Sequence, residues 1–309
     1  MRVSVIIPCY NVEDWIGTSL RSALEQTHAD LEIIVVDDGS ADGTVARVEE
    51  LMHMRPDRIA LLRGDHAGAC AARNKGLRAA TGTWLQFLDA DDRLMPDKIA
   101  GQVTIAEANP TAVAVIGDFV NELAHGGEET MNAIPGDPWE GLVKTRLGTT
   151  SANLWRRDAL LAAGGWDEQL ASSQDYELLF RLLAAGGSVA FDPRPATRVV
   201  KRTGGSISRT DVKDNWLRYI DLRLRMRDHL RTLDPRTYGA LLADLDQYLF
   251  MAFHLLAHED LPLASDLYRR HLSKGFIPRP GKAITPRYIM AHKLLGFERA
   301  VRLGRMLKH

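Results

Sequence analysis

The first 120 residues alternate between short apolar runs and longer segments with helical spacing, and this alternation constrains the fold more than any other feature. Between the runs, apolar residues recur every three or four positions, as at Ile16, Leu20 and Leu24, which is the period of an amphipathic helix. The runs are nearly continuous, as in parallel strands covered on both faces. The pattern predicts an α/β sandwich around a mostly parallel central sheet. The predicted strands are Val3–Ile7, Glu32–Val36, Ile59–Arg63, Trp84–Leu88 and Ala112–Gly117.

The later part of the chain follows a different pattern. Residues 118–150 carry turn signals such as Gly126-Gly127 and are predicted to be irregular. After about Ser208 the strand-like runs stop and only amphipathic helices are predicted. We therefore expect an α/β domain over residues 1–208 and a helical C-terminal region over residues 209–309.

Composition and missing motifs exclude several classes of protein. Apolar residues make up 45% of the 309 positions and charged residues 26%, an ordinary globular balance. No stretch approaches the ~18 apolar residues of a membrane span, and the first predicted strand follows Met1 too closely for a signal peptide. Dinucleotide oxidoreductases, P-loop enzymes and zincins are disfavoured, because the chain has no G-x-G-x-x-G, Walker A or H-E-x-x-H motif. A cytoplasmic enzyme is the expected class.

Carboxylates follow two of the predicted strands, and polar or aromatic residues follow a third. The first strand ends in Pro8–Asn11, the second in Asp37-Asp38, and the fourth in Asp89–Asp92. Ligands of α/β sheets bind beyond the carboxyl ends of the strands. Aspartate is also common in ordinary turns, so any one of these residues alone would more often be structural. Together, five carboxylates at one edge predict a divalent cation, Mg²⁺ or Mn²⁺, shared with a diphosphate.

Five segments resemble glycosyltransferase family 2, whose members have the GT-A fold. The resemblance extends over about residues 1–208. It implies inverting transfer of a sugar from a nucleoside-diphosphate donor, most often a UDP-sugar, with Mn²⁺ or Mg²⁺ as cofactor. The acceptor would be a hydroxyl of a cell-envelope glycan or a lipid-linked glycan. The segments are VSVIIPCYN at 3–11, VVDDGSADGT at 35–44, GACAARNKG at 68–76, FLDADD at 87–92 and GGWDEQLASSQDYELLFRL at 164–182.

The resemblance assigns donor-binding roles at the first two strand ends. Pro8 and Tyr10 would line the nucleobase pocket, where the tyrosine ring offers a stacking face, and Asn11 belongs to the same donor-binding segment. Asp38 would bind the edge of the base, and Asp89 would meet the ribose.

The cation and the diphosphate involve a second group of residues. Asp91, the last acid of the D-x-D motif, would bind the metal, which neutralises charge on the departing diphosphate. Arg73 and Asn74 would either brace their loop or touch the donor. Lys201 or Arg202 would reach the diphosphate, although a solvated loop is an equal alternative there.

The acceptor side is expected around Asp175, the candidate general base that would take the proton of the attacking hydroxyl. The alternative is structural, because Ser172 and Asp175 have the spacing of a capping box. Trp166, Asp167 and Gln174 would lie on the same side. The family often has glutamate where this chain has Gln174, so a charge is missing there.

Two other functions fit parts of the pattern. A nucleotidyltransferase would need a loop rich in Gly and Arg or Lys after the first strand, and Pro8–Asn11 lacks it. A sugar-nucleotide-binding or assembly protein without catalysis would keep the fold and would not need Asp175 as a base.

The C-terminal end is strongly basic. From Arg269 onward there are eleven Lys and Arg against one acid, Glu298. Since the net charge of the chain is −1, this end carries about +10 and residues 1–268 about −11. Residues 285–309 would either dock on an anionic membrane, making the enzyme peripheral on the inner face, or pack on the enzyme. A nucleic-acid partner is not expected, because no aromatic residues are interleaved for base stacking.

Overall fold

The computed structural model describes residues 1–201, 211–281 and 284–306. The chain divides into two compact units, Met1–Ser206 and Ile207–His309, here called the α/β unit and the helical unit. Each unit has its own hydrophobic core.

The central sheet of the α/β unit confirms the predicted mostly parallel architecture. Its strand order is β10-β6-β9-β4-β1-β2-β3. The strands of this sheet and of a smaller second sheet are numbered together in chain order. β1 pairs in parallel with β2 and β4, β2 with β3, and β6 with β10, whereas β9 is antiparallel to both of its neighbours. The strands are β1 (Val3–Cys9), β2 (Leu31–Asp37), β3 (Ile59–Arg63), β4 (Trp84–Phe87), β6 (Ala112–Gly117), β9 (Leu154–Arg156) and β10 (Ser188–Asp192).

The smaller sheet corrects the expectation that residues 118–150 are irregular. It has the order β5-β11-β7-β8, with β5 (Arg93–Leu94), β7 (Phe119–Leu123), β8 (Glu128–Met131) and β11 (Thr197–Lys201). β7 and β8 form an antiparallel pair around Gly126-Gly127, and β7 pairs in parallel with the distant β11. β8 is half acidic and mostly exposed, so it has no local apolar period from which a strand could be predicted. A short helix, α5 (Pro138–Val143), follows.

The helices of the α/β unit bury one face each, as their apolar spacing predicts. α1 buries Ile16 and Leu20 and begins with two acidic residues, which favour a helix N-terminus. In α3 a side chain at Gly76 would lie 2.4 Å from Cγ2 of Ile6, so glycine lets this helix approach β1. The helices are α1 (Glu13–Leu24), α2 (Thr44–Met54), α3 (Ala69–Ala79), α4 (Lys98–Ala108), α6 (Arg157–Ala162) and α7 (Gln174–Ala184).

The helical unit confirms the predicted C-terminal helices. It contains α8 (Val212–Thr232), α9 (Pro235–Glu259), α10 (Leu261–His271) and α11 (Pro286–Met306). Phe250 and Phe253 of α9 pack in its core together with Phe297 of α11. Within the described residues, one helix, at Arg236–Glu259, is long and apolar enough to cross a membrane, and 44% of its most apolar window is buried in the unit. Core helices of soluble units also meet this criterion.

Candidate active site

The carboxyl ends of β1, β2 and β4 lie side by side, because the three strands are parallel neighbours. Asp38, directly after β2, is buried and holds the loop before α3. Its two carboxylate oxygens accept hydrogen bonds from the backbone N–H groups of Ala67 at 2.8 Å and Gly68 at 2.7 Å. Asp37 accepts from the backbone of its own turn. The second strand end is thus an ordered pair of carboxylates that already have donors.

Tyr10 forms a ring pair that the sequence did not indicate. Its exposed ring stacks on His66, with centroids 4.0 Å apart and planes at 27°. Nδ1 of His66 lies 3.6 Å from Oδ2 of Asp38. The available signal was the position of His66 two residues before Gly68 of the GACAARNKG segment, and no local period marks it.

The other two predicted residues at the first strand end, Pro8 and Asn11, are held within the fold. Pro8 is buried within β1. Asn11, at a φ of 49°, connects to the turn after β2, because its side-chain oxygen accepts from Ala41 N at 2.9 Å and its N–H donates to Ser40 Oγ at 3.0 Å.

Arg73 is the centre of the site. Its buried guanidinium donates from Nη2 to Asp89 Oδ1 and from Nη1 to Gln174 Oε1, both at 2.8 Å. It also lies over the ring of Trp166, 4.7 Å from the centroid. Burial alone would lower the pKa of Arg73, and the Asp89 carboxylate raises it above its usual value. A permanently charged group therefore links the end of β4 to the start of α7.

Asp175 is the second residue of α7. The helix begins at Gln174, and Ser173 occupies the cap position with a left-handed φ of 59° and no side-chain capping bond. Asp175 Oδ1 accepts from Tyr176 N at 2.9 Å. Burial raises the pKa of the Asp175 carboxyl, the Tyr176 N–H and Arg73 oppose the rise, and Asp89 adds to it. A carboxylate with a raised pKa is better matched to taking a proton near neutral pH.

Asp91 and Asp92 are chain neighbours in opposite surroundings. Asp92 is buried and accepts from Ser151 Oγ at 2.6 Å and from Val200 N at 3.2 Å. Burial, with Asp89 and Asp91 adding to it, raises the pKa of Asp92 well above its usual range. Asp91 is partly exposed. Of the five carboxylates expected to converge, Asp37, Asp38 and Asp92 therefore accept hydrogen bonds from the protein itself, and Asp89 pairs with Arg73.

The donor set fits a cation that is shared with a ligand. Among the described residues, no group of three or more His, Cys, Asp or Glu side chains is arranged to hold a metal ion. Mg²⁺ typically takes only one or two protein carboxylates and completes its shell with phosphate oxygens and water. Asp91 meets that requirement, whereas a cage built from protein side chains alone is not available within the described residues.

The segment before α7 is braced by Asn74. Its Nδ2 donates to the carbonyl oxygen of Trp166 and to Glu168 Oε1, and its Oδ1 accepts from Trp166 N, all at 2.8 Å. Trp166 is buried and packs edge-on against Phe87. Its ring thus belongs to the core rather than to an acceptor surface.

The remaining predicted residues that the structure describes are exposed or partly exposed. Asp167 is exposed and accepts from Gln169 N at 2.9 Å. Gln174 donates from Nε2 to Leu170 O at 2.7 Å while it accepts from Arg73. Lys201 is exposed at the end of β11, and Arg202 lies outside the described residues.

Comparison with known proteins identifies related sequences. Residues 4–148 match the sequence profile of Glycosyl transferase family 2. The chain is 32% identical over 220 residues to the succinoglycan biosynthesis protein ExoO of Rhizobium meliloti, covering 67% of this chain and 62% of that protein. It is 41% identical over 108 residues to the UDP-Glc:alpha-D-GlcNAc-diphosphoundecaprenol beta-1,3-glucosyltransferase WfgD of Escherichia coli, covering 35% of this chain and 42% of that protein. The chain thus spans less than two thirds of the length of these relatives.

Two solved structures share the fold. Residues 1–349 of S. aureus TarS in complex with UDP-GlcNAc superpose with a TM-score of 0.66 at 16% identity, covering 99% of this chain and 92% of that one. The mannosyltransferase PcManGT of Pyrobaculum calidifontis, in complex with GDP-Man and Mn²⁺, superposes with a TM-score of 0.60 at 20% identity, covering 99% and 86%. By sequence, the chain is a member of glycosyl transferase family 2, and its α/β unit has the GT-A-type fold of these solved structures.

Proposed function

We propose that this chain is an inverting glycosyltransferase that moves a sugar from a nucleoside-diphosphate donor, with UDP-sugars favoured, to a hydroxyl of a cell-envelope glycan or lipid-linked glycan. The observation that carries the proposal is the buried Arg73, which connects Asp89 at the donor edge to the start of α7, where Asp175 lies. WfgD is named as a UDP-Glc glucosyltransferase with a diphosphoundecaprenol-linked acceptor, and ExoO as a biosynthesis protein of succinoglycan. These names support the donor and acceptor classes.

The proposed chemistry is a single in-line displacement. The acceptor oxygen attacks the anomeric carbon opposite the departing nucleotide, and Asp175 takes the hydroxyl proton. The base must be deprotonated when it acts, and the positive charge of Arg73 favours that form. Arg73 also holds Gln174, so it would keep the start of α7 in register with the donor edge.

The donor would lie along the three strand ends. The exposed ring of Tyr10, stacked on His66, offers a face for the nucleobase. Asp38 and Asp89 would bind the base edge and the ribose, with Lys201 toward the diphosphate and Arg202 as a second candidate there. Asp91 would hold Mn²⁺ or Mg²⁺, which when bound neutralises charge on the leaving diphosphate. The enzyme would act in the cytoplasm, on the inner face of the membrane that holds a lipid-linked acceptor.

A thermal-shift panel tests the donor and cation together. UDP, GDP and their sugar derivatives are added with Mn²⁺ or with a chelator. A matching diphosphate should raise the melting temperature, because a ligand at a hundredfold excess over its Kd adds about 2.7 kcal/mol of stability. Mn²⁺ should enlarge the shift, and Asp91→Ala should remove this enlargement.

The exposed Asp57 supplies the matched control, since it lies just before β3, at the sheet edge opposite the carboxyl ends of the strands. Asp57→Ala should leave the shift unchanged. If no diphosphate stabilises the protein under either condition, the transferase proposal fails. If a nucleotide sugar stabilises the protein but no nucleotide is released when envelope glycans are supplied, the result instead favours a binding protein without catalysis.

A further inference from the structure

Helix α11 exposes large apolar side chains on the side that faces away from its own core. The helix is interrupted at Gly296, whose φ is 78°, and therefore consists of two halves. In the first half His292 is buried, whereas Met290 and Leu294 are 66% and 77% exposed. Residues four positions apart lie on the same helix face, so these two side chains form one patch.

The second half repeats the arrangement. Phe297 and Val301 are buried in the core of the helical unit. Leu303 and Met306, three positions apart, are 38% and 75% exposed. We call four of the exposed apolar side chains of the two halves the outward patch; they are Met290, Leu294, Leu303 and Met306.

Basic side chains accompany the outward patch in both halves. Arg287 and Lys293 are exposed in the first half, each three residues from Met290. Arg299 and Arg302 are exposed in the second half. Glu298 is the only acid between residues 286 and 306, and it pairs with Arg302 at 2.8 Å. The segment therefore combines exposed apolar groups with a net positive charge.

We propose that the outward patch and its accompanying basic residues form a docking surface for an anionic lipid membrane. The leucine and methionine side chains would enter the boundary between headgroups and acyl chains, and the long basic side chains would meet lipid phosphates. The two alternatives for this segment, membrane docking and packing on the enzyme, then apply to different sides of α11. Its inward side packs on the helical unit, and its outward side binds the surface.

Charge and composition favour lipid over other occupants. A second copy that presented the same surface would bring like charges together. A nucleic acid would be attracted by the basic residues but would leave Met290 and Leu294 without apolar contacts, and no exposed aromatic ring is available on α11 for base stacking. The inference rests on the proposed function only in that a lipid-linked acceptor would require such a surface. Because membrane binding can be measured without a donor, the two proposals can be tested separately.

The test is co-sedimentation of the full-length protein with vesicles of phosphatidylcholine alone or mixed with phosphatidylglycerol. The protein should bind the anionic vesicles and leave them as salt rises, because salt screens the attraction. Arg287→Gln with Lys293→Gln should weaken binding about 25-fold, at about fivefold for each lost charge. Met290→Ser with Leu294→Ser should weaken it about tenfold or more.

Matched controls come from the α/β unit. Met54, which is 71% exposed at the end of α2, is changed to serine, and the exposed Arg78 of α3 is changed to glutamine. Both variants should bind vesicles like the unaltered protein. All variants should keep their melting temperature and their thermal response to UDP, so that loss of membrane binding is separated from loss of fold or of donor binding.

Three results would overturn the proposal. The first is equal binding to neutral and anionic vesicles, or no binding to either at low salt. The second is a loss of binding in the α11 variants that is no larger than in the controls. The third is self-association or oligonucleotide binding that the α11 substitutions abolish while vesicle binding stays unchanged, which would assign the surface to a different partner.

Discussion

The buried guanidinium of Arg73 donates from Nη2 to Oδ1 of Asp89 across 2.8 Å. Through Nη1 the same group holds Gln174, the residue before Asp175. The Asp175 carboxylate therefore lies in the field of a cation that favours its charged form and of an acid, Asp89, that disfavours it. This arrangement makes the ionisation of Asp175 depend on Arg73.

Replacing Arg73 should move the acid limb of the pH–rate profile to higher pH. Burial raises the pKa of Asp175 and Arg73 lowers it, so Arg73→Gln removes the opposing charge and raises that pKa further. A general base works when deprotonated, and activity is lost as pH falls through its pKa. The measurement is kcat/KM against pH for Arg73→Gln and for Arg73→Lys, which keeps the charge. An acid limb that coincides in Arg73→Gln and the unaltered enzyme would contradict this coupling.

Asp175→Asn and Asp91→Ala should fail at different steps. Asp175→Asn should bind donor and metal almost normally and transfer sugar ~10²–10⁴ more slowly, as for loss of a general base. Asp91→Ala should lose both metal-dependent donor binding and turnover. Single-turnover transfer at saturating donor, together with the melting temperature, separates the two. Near-normal transfer by a folded Asp175→Asn variant would reassign the base.

Asp92→Ala should destabilise the fold more than Asp91→Ala. Ser151 Oγ and Val200 N both donate to Asp92; a buried donor left without an acceptor, as at Ser151, costs about 1–3 kcal/mol, and the part-buried Val200 N costs less. Urea unfolding at neutral pH should therefore show a loss of about 2–4 kcal/mol for Asp92→Ala. A stability equal to that of Asp91→Ala would show that the two hydrogen bonds contribute nothing.

The pH dependence of stability gives a second check on Asp92. Because its pKa in the folded protein is raised, the folded state binds more protons than the unfolded state above the ordinary aspartate pKa. The contribution of this group to the unfolding free energy therefore falls as pH rises from that value through the folded pKa. Asp92→Ala should remove this decline, and titration of urea midpoints from acid to neutral pH measures it.

Gly165→Ala should cost more stability than Gly164→Ala. Both glycines have positive φ, 76° and 82°, so an alanine at either one pays about 1 kcal/mol for the left-handed backbone. At Gly165 alone the new Cβ would also lie 2.5 Å from Oδ1 of Asn74, while it meets open space at Gly164. Asn74→Ala, which removes three hydrogen bonds, two of them buried, should lower the melting temperature as well. Equal melting temperatures for the two glycine variants would mean that the Asn74 side chain moves away from the new Cβ without a loss of stability.

Local patterns were sufficient for five of the seven strands of the central sheet; β9 and β10 were not predicted. The predicted strands Ile59–Arg63 and Ala112–Gly117 have the observed bounds, because each is a short, mostly apolar run that is visible in the sequence. The β7–β8 pair was not predicted, since β7 pairs with β11, which lies more than 70 residues later in the chain. An exposed charged strand has no local apolar period to read.

The sequence by itself determined the α/β architecture, the family, and the strand ends at which acidic residues cluster, because these follow from short-range spacing of residue types. Only the tertiary structure separated Asp91 from the buried Asp92, because burial is decided by Ser151 and Val200 from distant elements. Only the tertiary structure also brought His66 against Tyr10 and Arg73 against Gln174. Such contacts join positions far apart along the chain, and folding sets their distances and charges.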